Sequence, residues 1–120
     1  MIDFHTHIFH EKVQKERARF FATEPEFKLL YNSPKAEIVD AENLIKSMDE
    51  QGVALSVVFG FPWRDGDLAR ENNDYIIQSV AKYPGKLKGF ACFDVLWEGA
   101  PDETTRCLSQ GLSGVGELAF

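Results

Sequence analysis

Two histidines near the start of the chain have the spacing of a metal-binding pair. His5 and His7 are separated by one residue in the run Asp3-Phe4-His5-Thr6-His7. In an extended strand, alternate side chains point to the same face, and Cα atoms two residues apart lie roughly 6.5 Å from each other. Neutral imidazole nitrogens bind zinc at about 2.0–2.1 Å, so both rings can reach one ion between them. Asp3 lies on the same face, either as a carboxylate ligand or as a hydrogen-bond partner of a ring. The alternative is an exposed histidine pair that binds no metal.

A glutamate in the last apolar segment is the second candidate for this chemistry. Glu117 lies inside the apolar run at 114–120. An ionised carboxylate in such a run is costly unless it is paired or bound to metal. Because the carboxyl ends of parallel strands share one side of a sheet, Glu117 can face the same site as His5 and His7. The alternative is a solvated glutamate in a frayed terminal strand.

The segment after the second predicted strand offers two candidates for substrate binding. Trp63 and Arg64 follow an apolar run, and a guanidinium can hold a substrate carboxylate through two hydrogen bonds. The alternative is a surface aromatic residue beside a solvated pair of Arg64 and Asp65. His10 is predicted to be a surface residue and not a ligand. Asp94, at the end of the third predicted strand, is a weaker candidate of the same kind.

The two cysteines and two neighbouring asparagines are expected to have structural roles. Cys92 and Cys107 have no neighbouring histidine and no Cys-x-x-Cys spacing, so we expect reduced, structural thiols. Asn72 and Asn73 are expected to cap a helix. The sequence has no glycine-rich phosphate loop and no Gly-x-Ser-x-Gly motif.

Strands and helices alternate along the chain. Apolar, β-branched runs predict strands at 2–8, 53–61, 87–95 and 114–120. Helical patterns and capping residues predict helices at 11–21, 40–51, about 71–82 and about 100–111, with Asp40 and Gly52 capping the second of them. The segment 23–35 is predicted to be a loop. A βα order without hairpin signals predicts a parallel sheet covered by helices and connected by right-handed crossovers.

The length predicts only part of a closed barrel. A (β/α)₈ barrel needs roughly 250 residues, and this chain has 120. We therefore expect residues 1–120 to form a single partial TIM-barrel domain, about half of a barrel and truncated after the fourth strand. The alternative is a small open four-stranded parallel α/β sheet.

Composition indicates which partners and which cellular location the protein is expected to have. The net charge is −6, with 19 acidic against 13 basic residues. This balance argues against binding to nucleic acids and anionic membranes, which depends on a basic surface. The sequence has no apolar run of membrane-spanning length and no signal peptide. With only two cysteines, we expect a cytoplasmic protein.

Four segments together resemble the amidohydrolase superfamily, in particular its amidohydrolase 2 branch of metal-dependent hydrolases and decarboxylases. The segments are IDFHTHI at 2–8, NDYI at 73–76, YPGKLKGFA at 83–91 and GLSGVGEL at 111–118. The resemblance covers most of the chain except about 11–37. It implies a (β/α)₈ barrel with one or two divalent metals, often zinc, at its C-terminal mouth.

The resemblance also implies roles for single residues. His5 and His7 correspond to the metal ligands of the first strand, and Glu117 falls where some relatives place an acidic ligand of the fourth strand. The family also uses histidines of the fifth and sixth strands and an aspartate of the eighth. This sequence has no counterpart of those residues, so no catalytic base is assigned.

These observations predict the N-terminal part of a metal-dependent hydrolase of C–N, C–O or P–O bonds in a small-molecule substrate. A metal-dependent decarboxylase of the same branch is the alternative within the family. An inert half-barrel, stabilised as a homo-oligomer that covers its open sheet edges, is the alternative outside enzymes. A polymerase-and-histidinol-phosphatase-type phosphoesterase is disfavoured, because the region after the second strand lacks the expected acid and histidine. By itself, the 120-residue chain is expected to bind metal weakly and to show little or no turnover.

Overall fold

The computed structural model describes residues 1–33, 35–116 and 118. Strands alternate with helices along these residues. The elements are β1 (Ile2–His7), α1 (Glu11–Lys15), a 3₁₀ turn (Arg17–Phe20), α2 (Pro25–Tyr31), α3 (Ala41–Gln51), β2 (Leu55–Phe59), α4 (Gly66–Lys82), β3 (Leu87–Ala91), α5 (Ala100–Ser109) and β4 (Gly114–Val115).

The four strands form one parallel sheet in the order β1-β2-β3-β4. Each strand therefore lies beside the preceding one, as in a (β/α)₈ barrel, and the order does not reverse as it does in a doubly wound sheet. The predicted parallel βα architecture is confirmed. None of the described helices is both long enough and apolar enough to cross a lipid bilayer.

The helical segments of the structure differ from the predicted ones in three places, and strands β2 and β3 are shorter than predicted. The segment predicted as a loop contains α2, which Pro25 begins at a position that suits its fixed φ. The predicted helix at 11–21 is divided into α1 and a 3₁₀ turn. Helix α4 begins at Gly66, because the Asp65 carboxylate caps the backbone N–H groups of Asp67 and Leu68.

The two faces of the sheet belong to separate apolar clusters. Val58, Leu87 and Ala91 pack with side chains of the helices in the main core. Val57, Phe59 and Cys92 form a second cluster with the half-buried Phe90. Since successive strand residues point to opposite faces, the second cluster lies on the face away from the helices. In a closed barrel, this face would point to the interior.

Helix α3, which precedes β2 in the chain, depends on its predicted caps. The Asp40 carboxylate accepts a hydrogen bond of 2.8 Å from the Asn43 backbone N–H. Gly52 ends the helix with a left-handed φ of 72°, which glycine adopts without strain. Both capping predictions are confirmed.

We predict that Asp40→Ala lowers the free energy of unfolding by about 0.5–2 kcal/mol, because it leaves a backbone donor of α3 without its acceptor. Urea unfolding followed by circular dichroism measures this loss. Asp49→Ala is the matched control, since Asp49 forms an exposed ion pair with Lys86, and this substitution should cost less than about 1 kcal/mol. Equal losses in the two variants would exclude a capping role for Asp40.

Candidate metal centre

A backbone carbonyl fixes the ring of His7. His7 Nδ1 lies 2.7 Å from the carbonyl oxygen of Gly60, the residue that follows β2. A carbonyl oxygen only accepts hydrogen bonds, so Nδ1 carries the proton in this contact, and the lone pair of the neutral ring is on Nε2. Metal-binding histidines characteristically make such a contact through the nitrogen that does not bind metal. This geometry places the lone pair of a neutral His7 ring on Nε2, the nitrogen through which such histidines bind metal.

His5 lies beside His7 on the same face of the sheet. The ring centroids are 5.1 Å apart, and the rings are nearly perpendicular. The Phe59 ring contacts both imidazoles edge to face, with centroid distances of 5.2 Å to His5 and 4.7 Å to His7. The alternation that predicted a shared face for the two histidines is therefore found in the structure. Phe59, which sequence reasoning did not single out, is thus an apolar neighbour of both imidazole rings.

An irregularity in β1 changes the role of Asp3. The pairing register between β1 and β2 shifts between Asp3 and Thr6. Asp3 Oδ1 accepts a hydrogen bond of 3.1 Å from the backbone N–H of His5, and Oδ2 accepts one of 3.0 Å from the Thr6 hydroxyl. The described hydrogen bonds of Asp3 thus hold the strand next to the histidines and do not reach an imidazole. Strand irregularities of this kind occur often beside functional sites.

Among the residues that the structure describes, the side chains proposed to bind metal are the imidazoles of His5 and His7. Within 1–33, 35–116 and 118, no group of three or more His, Cys, Asp or Glu side chains could hold a metal ion. Glu117, the third ligand expected from the sequence, lies outside the described residues. Imidazole pairs suit zinc and its first-row neighbours. The two rings, one of them already oriented by a carbonyl, fit a divalent ion of this type.

The structure places Trp63 in the core and not on a substrate surface. The residue is 1% exposed, and its ring centroid lies 4.7 Å from that of Phe27 and 5.2 Å from that of Phe61. The indole N–H donates a hydrogen bond of 2.9 Å to Asn72 Oδ1. The ring is therefore too deeply buried to contact a substrate, and it is not an exposed surface residue either.

Arg64 lies in a more open position. Its side chain is 55% exposed and forms an ion pair with Glu26 of α2, which lowers the pKa of Glu26. Both residues line a pocket of about 340 Å³ together with Pro62, Asp94 and Leu96. Because these lining residues follow β2 and β3, the pocket opens beyond the carboxyl ends of the strands, where ligands bind in barrels of this type.

His10 does not belong to the histidine pair. Its Nε2 lies 3.1 Å from a carboxylate oxygen of Glu71, and its ring packs edge to face against Tyr75. Burial lowers the pKa of His10, and the Glu71 carboxylate offsets part of this effect. These described contacts are with α4 and not with His5 or His7.

Two buried asparagines that sequence reasoning assigned to a helix cap lie in the interior of α4. Asn72 donates to the Ile8 carbonyl at 3.2 Å. Asn73 donates to Glu103 Oε2 at 2.9 Å and accepts from the Cys92 backbone N–H at 3.0 Å. They connect the ends of β1 and β3 to the helical layer. With Asp65 as the cap, their place inside a helix could have been found from the sequence.

The buried carboxylate of Glu103 is stabilised in its ionised form. Burial raises the pKa of Glu103, but hydrogen bonds from Arg106 and Asn73 outweigh it and hold the pKa below its usual range. Arg106 donates to both carboxylate oxygens, at 2.7 and 2.8 Å. The Cys107 thiol, packed beside them, has its pKa raised to about 12 by burial, which fits the structural role predicted for it.

We predict an acid-sensitive contribution of Glu103 to stability. Because its pKa is depressed in the folded state, the contribution is present above the unfolded value of about 4.3 and is lost as the pH falls through the folded pKa. Urea unfolding of the native chain and of Glu103→Gln, from about pH 7 downward, measures it. The variant should lose stability less steeply on acidification. Parallel pH profiles would contradict the assignment.

Neither a protein-family model nor a curated protein sequence matches the chain. Solved structures do match it. A dihydroxybenzoic acid decarboxylase from Polaromonas with bound manganese and 2-nitroresorcinol has a TM-score of 0.62 at 24% identity, over 95% of this chain and 36% of that one. A probable 2-pyrone-4,6-dicarboxylic acid hydrolase from Acinetobacter baumannii has a TM-score of 0.53 at 21% identity, with the same coverage. A 4-oxalomesaconate hydratase from Rhodopseudomonas palustris has a TM-score of 0.59 at 19% identity, over 96% of this chain and 40% of that one.

These matches establish the fold. The matched enzymes are TIM barrels, and the barrel-type order of the strands agrees with that fold. At these identities the likeness concerns the architecture. The chain spans 36–40% of the length of these three structures.

Proposed function

We propose that this chain is the N-terminal part of a metal-dependent enzyme of the amidohydrolase type, with His5 and His7 as metal ligands. The observation that carries the proposal is the 2.7 Å contact between His7 Nδ1 and the Gly60 carbonyl, beside a second imidazole at the carboxyl end of β1. The barrel-type fold supports it, because enzymes of this architecture bind ligands at that end of the strands. Glu117 is proposed as a third ligand.

The chain's own residues prepare the site for the metal. The Gly60 carbonyl holds the His7 ring in one tautomer, and the Phe59 ring supports both imidazoles from below. A bound divalent metal supplies a site that lowers the pKa of water to about 7 and polarises a carbonyl group. We infer zinc from the imidazole donors. Manganese, which is bound in the Polaromonas decarboxylase, is the competing metal.

We infer that the substrate is a small molecule with a carboxylate group. Arg64 presents a half-exposed guanidinium, paired with Glu26, in the pocket beyond β2 and β3, which Asp94 and the apolar residues Pro62 and Leu96 also line. A guanidinium recognises a carboxylate through paired hydrogen bonds. The two apolar residues offer a surface for the rest of the molecule.

The proposed reaction is hydrolysis of a C–N, C–O or P–O bond, and decarboxylation is the second candidate. Decarboxylation is kept as a candidate because a dihydroxybenzoic acid decarboxylase is among the structures of similar fold. Release of carbon dioxide from aromatic carboxylates would assign decarboxylation. Release of ammonia or an alcohol from amides or esters would assign hydrolysis.

Calorimetric titration of the metal-free chain with Zn²⁺ and, separately, Mn²⁺ tests the metal site. The proposal expects binding of at least one of these ions that is lost in a His5→Ala/His7→Ala double variant. Size-exclusion chromatography of the same samples tests the non-enzymatic alternative. An oligomer that binds neither ion would favour an inert half-barrel whose open edges are covered by a second copy. A cytoplasmic location stays a prediction.

A further inference from the structure

We infer that Asn72 is a positioning residue for His7: its side-chain amide fixes the end of β1 against the Gly60 carbonyl that orients the imidazole. The inference rests on the proposed function, in which His7 is a metal ligand. Asn72 lies in α4, is 1% exposed and contacts no part of the histidine rings in the described hydrogen bonds. It therefore acts through the backbone on either side of the contact between His7 and Gly60.

The orientation of the Asn72 amide is determined by its partners. The indole N–H of Trp63 can only donate, so the atom 2.9 Å away is the amide oxygen. The amide nitrogen then faces the carbonyl oxygen of Ile8, at 3.2 Å. Ile8 directly follows His7, and its own N–H donates to the Phe59 carbonyl at 3.0 Å. The backbone is thus held on both sides at the residue next to the proposed ligand.

The same amide lies directly against Gly60. A Cβ atom added to Gly60 would lie 2.4 Å from Asn72 Cγ and 2.5 Å from its Oδ1, distances that real contacts do not reach. Only glycine allows this approach, and Gly60 is the residue whose carbonyl accepts the hydrogen bond from His7 Nδ1. One buried amide therefore sets the position of both the strand that carries His7 and the carbonyl that selects its tautomer.

A purely structural role makes a different prediction. If Asn72 only filled the core, its loss would lower stability and leave the tautomer of His7 and the metal affinity of the folded chain unchanged. If Asn72 positions the acceptor, its loss weakens the preference for a proton on Nδ1, and that preference can be observed without any metal.

The test uses the ¹⁵N-labelled chain and long-range ¹H–¹⁵N correlation spectra, which report the tautomer of each of its three histidines. Single substitutions at His5 and His10 assign the signals. We expect His7 of the native chain to carry its proton on Nδ1. We expect folded Asn72→Ala to lose this preference and to bind Zn²⁺ more weakly in calorimetric titrations, by no more than the roughly 10–100-fold that is typical when the direct hydrogen-bond partner of a ligand is lost.

Asn73→Ala is the matched control. Asn73 is the adjacent residue of the same helix and is also buried, but its hydrogen bonds go to Glu103 and Cys92. This variant should lose stability as Asn72→Ala does, while its His7 signals and Zn²⁺ affinity stay at the native values. If both variants change the His7 tautomer equally, the effect comes from a general loss of core packing around α4, and the inference is overturned.

Gly60→Ala provides a second variant should Asn72→Ala fail to fold, as judged by circular dichroism. Its added methyl group requires the Asn72 amide to move, so we expect the same change at His7. Native tautomer and native Zn²⁺ affinity in the folded variant would overturn the inference. A native chain that binds no Zn²⁺ or Mn²⁺ would instead count against the proposed function, and the metal-free tautomers would still decide the role of Asn72.

Discussion

His7→Ala is expected to reduce the affinity of the protein for Zn²⁺ by more than the roughly 10–100-fold that loss of an outer partner typically costs. The reason is that alanine removes a proposed direct ligand, the ring whose Nδ1 is held by the hydrogen bond to the Gly60 carbonyl. His5 alone then offers one imidazole where the site offers two. Competition with a chromophoric zinc chelator measures the change.

His10→Ala is the control for this effect. It removes the third histidine of the chain, whose described contacts are with Glu71 and Tyr75, and should leave Zn²⁺ affinity at the native value. A reduction in His10→Ala as large as that in His7→Ala would mean that zinc binds at scattered histidines. The assignment of His7 as a ligand would then be wrong.

Trp63→Ala should cause the largest loss of stability, about 3–5 kcal/mol. The ring is buried in a cluster of aromatic side chains, where it contacts Phe9, Phe27 and Phe61. The substitution leaves a large cavity and removes the donor to buried Asn72 Oδ1. Because domains have only about 5–15 kcal/mol of stability, urea unfolding should show a strongly shifted midpoint.

Trp63→Phe separates the two parts of this effect. It keeps most of the ring volume and removes the indole donor, so the expected loss is about 1–3 kcal/mol, the cost of leaving a buried polar group without its partner. A loss below about 1 kcal/mol in Trp63→Ala would contradict the core position of the ring. Trp63 would then again be a candidate for the substrate surface.

The sequence predicted the histidine pair because that prediction depends on local geometry alone. Alternation along a strand places His5 and His7 on one face, and this arrangement persists although the register of β1 shifts at Asp3. The parallel sheet was likewise predicted from the alternation of strands and helices along the chain. The caps of α3, Asp40 and Gly52, could also be predicted because they depend only on residues next to the helix ends.

Features that depend on distant contacts were not predictable in this way. Trp63 follows a strand, as a residue at a barrel mouth would, and it becomes a core residue because Phe27 of α2 and aromatic side chains of other segments pack against it. Helix α2 was not predicted, because the prolines and polar residues of its segment are typical of a loop. The roles of Gly60 and Asn72 depend on a contact between a strand end and a helix that no local pattern indicates. Glu117 stays a prediction, outside the described residues.

The proposal that His5 and His7 bind a divalent metal is tested most directly by anomalous diffraction from crystals of the protein grown with Zn²⁺, recorded at the zinc absorption edge. The predicted result is an anomalous peak between the two rings, about 2.0–2.1 Å from His7 Nε2 and from a nitrogen of His5. His7 Nδ1 should keep its contact with the Gly60 carbonyl. Ordered histidine rings without a peak between them, or zinc bound only elsewhere, would contradict the proposal.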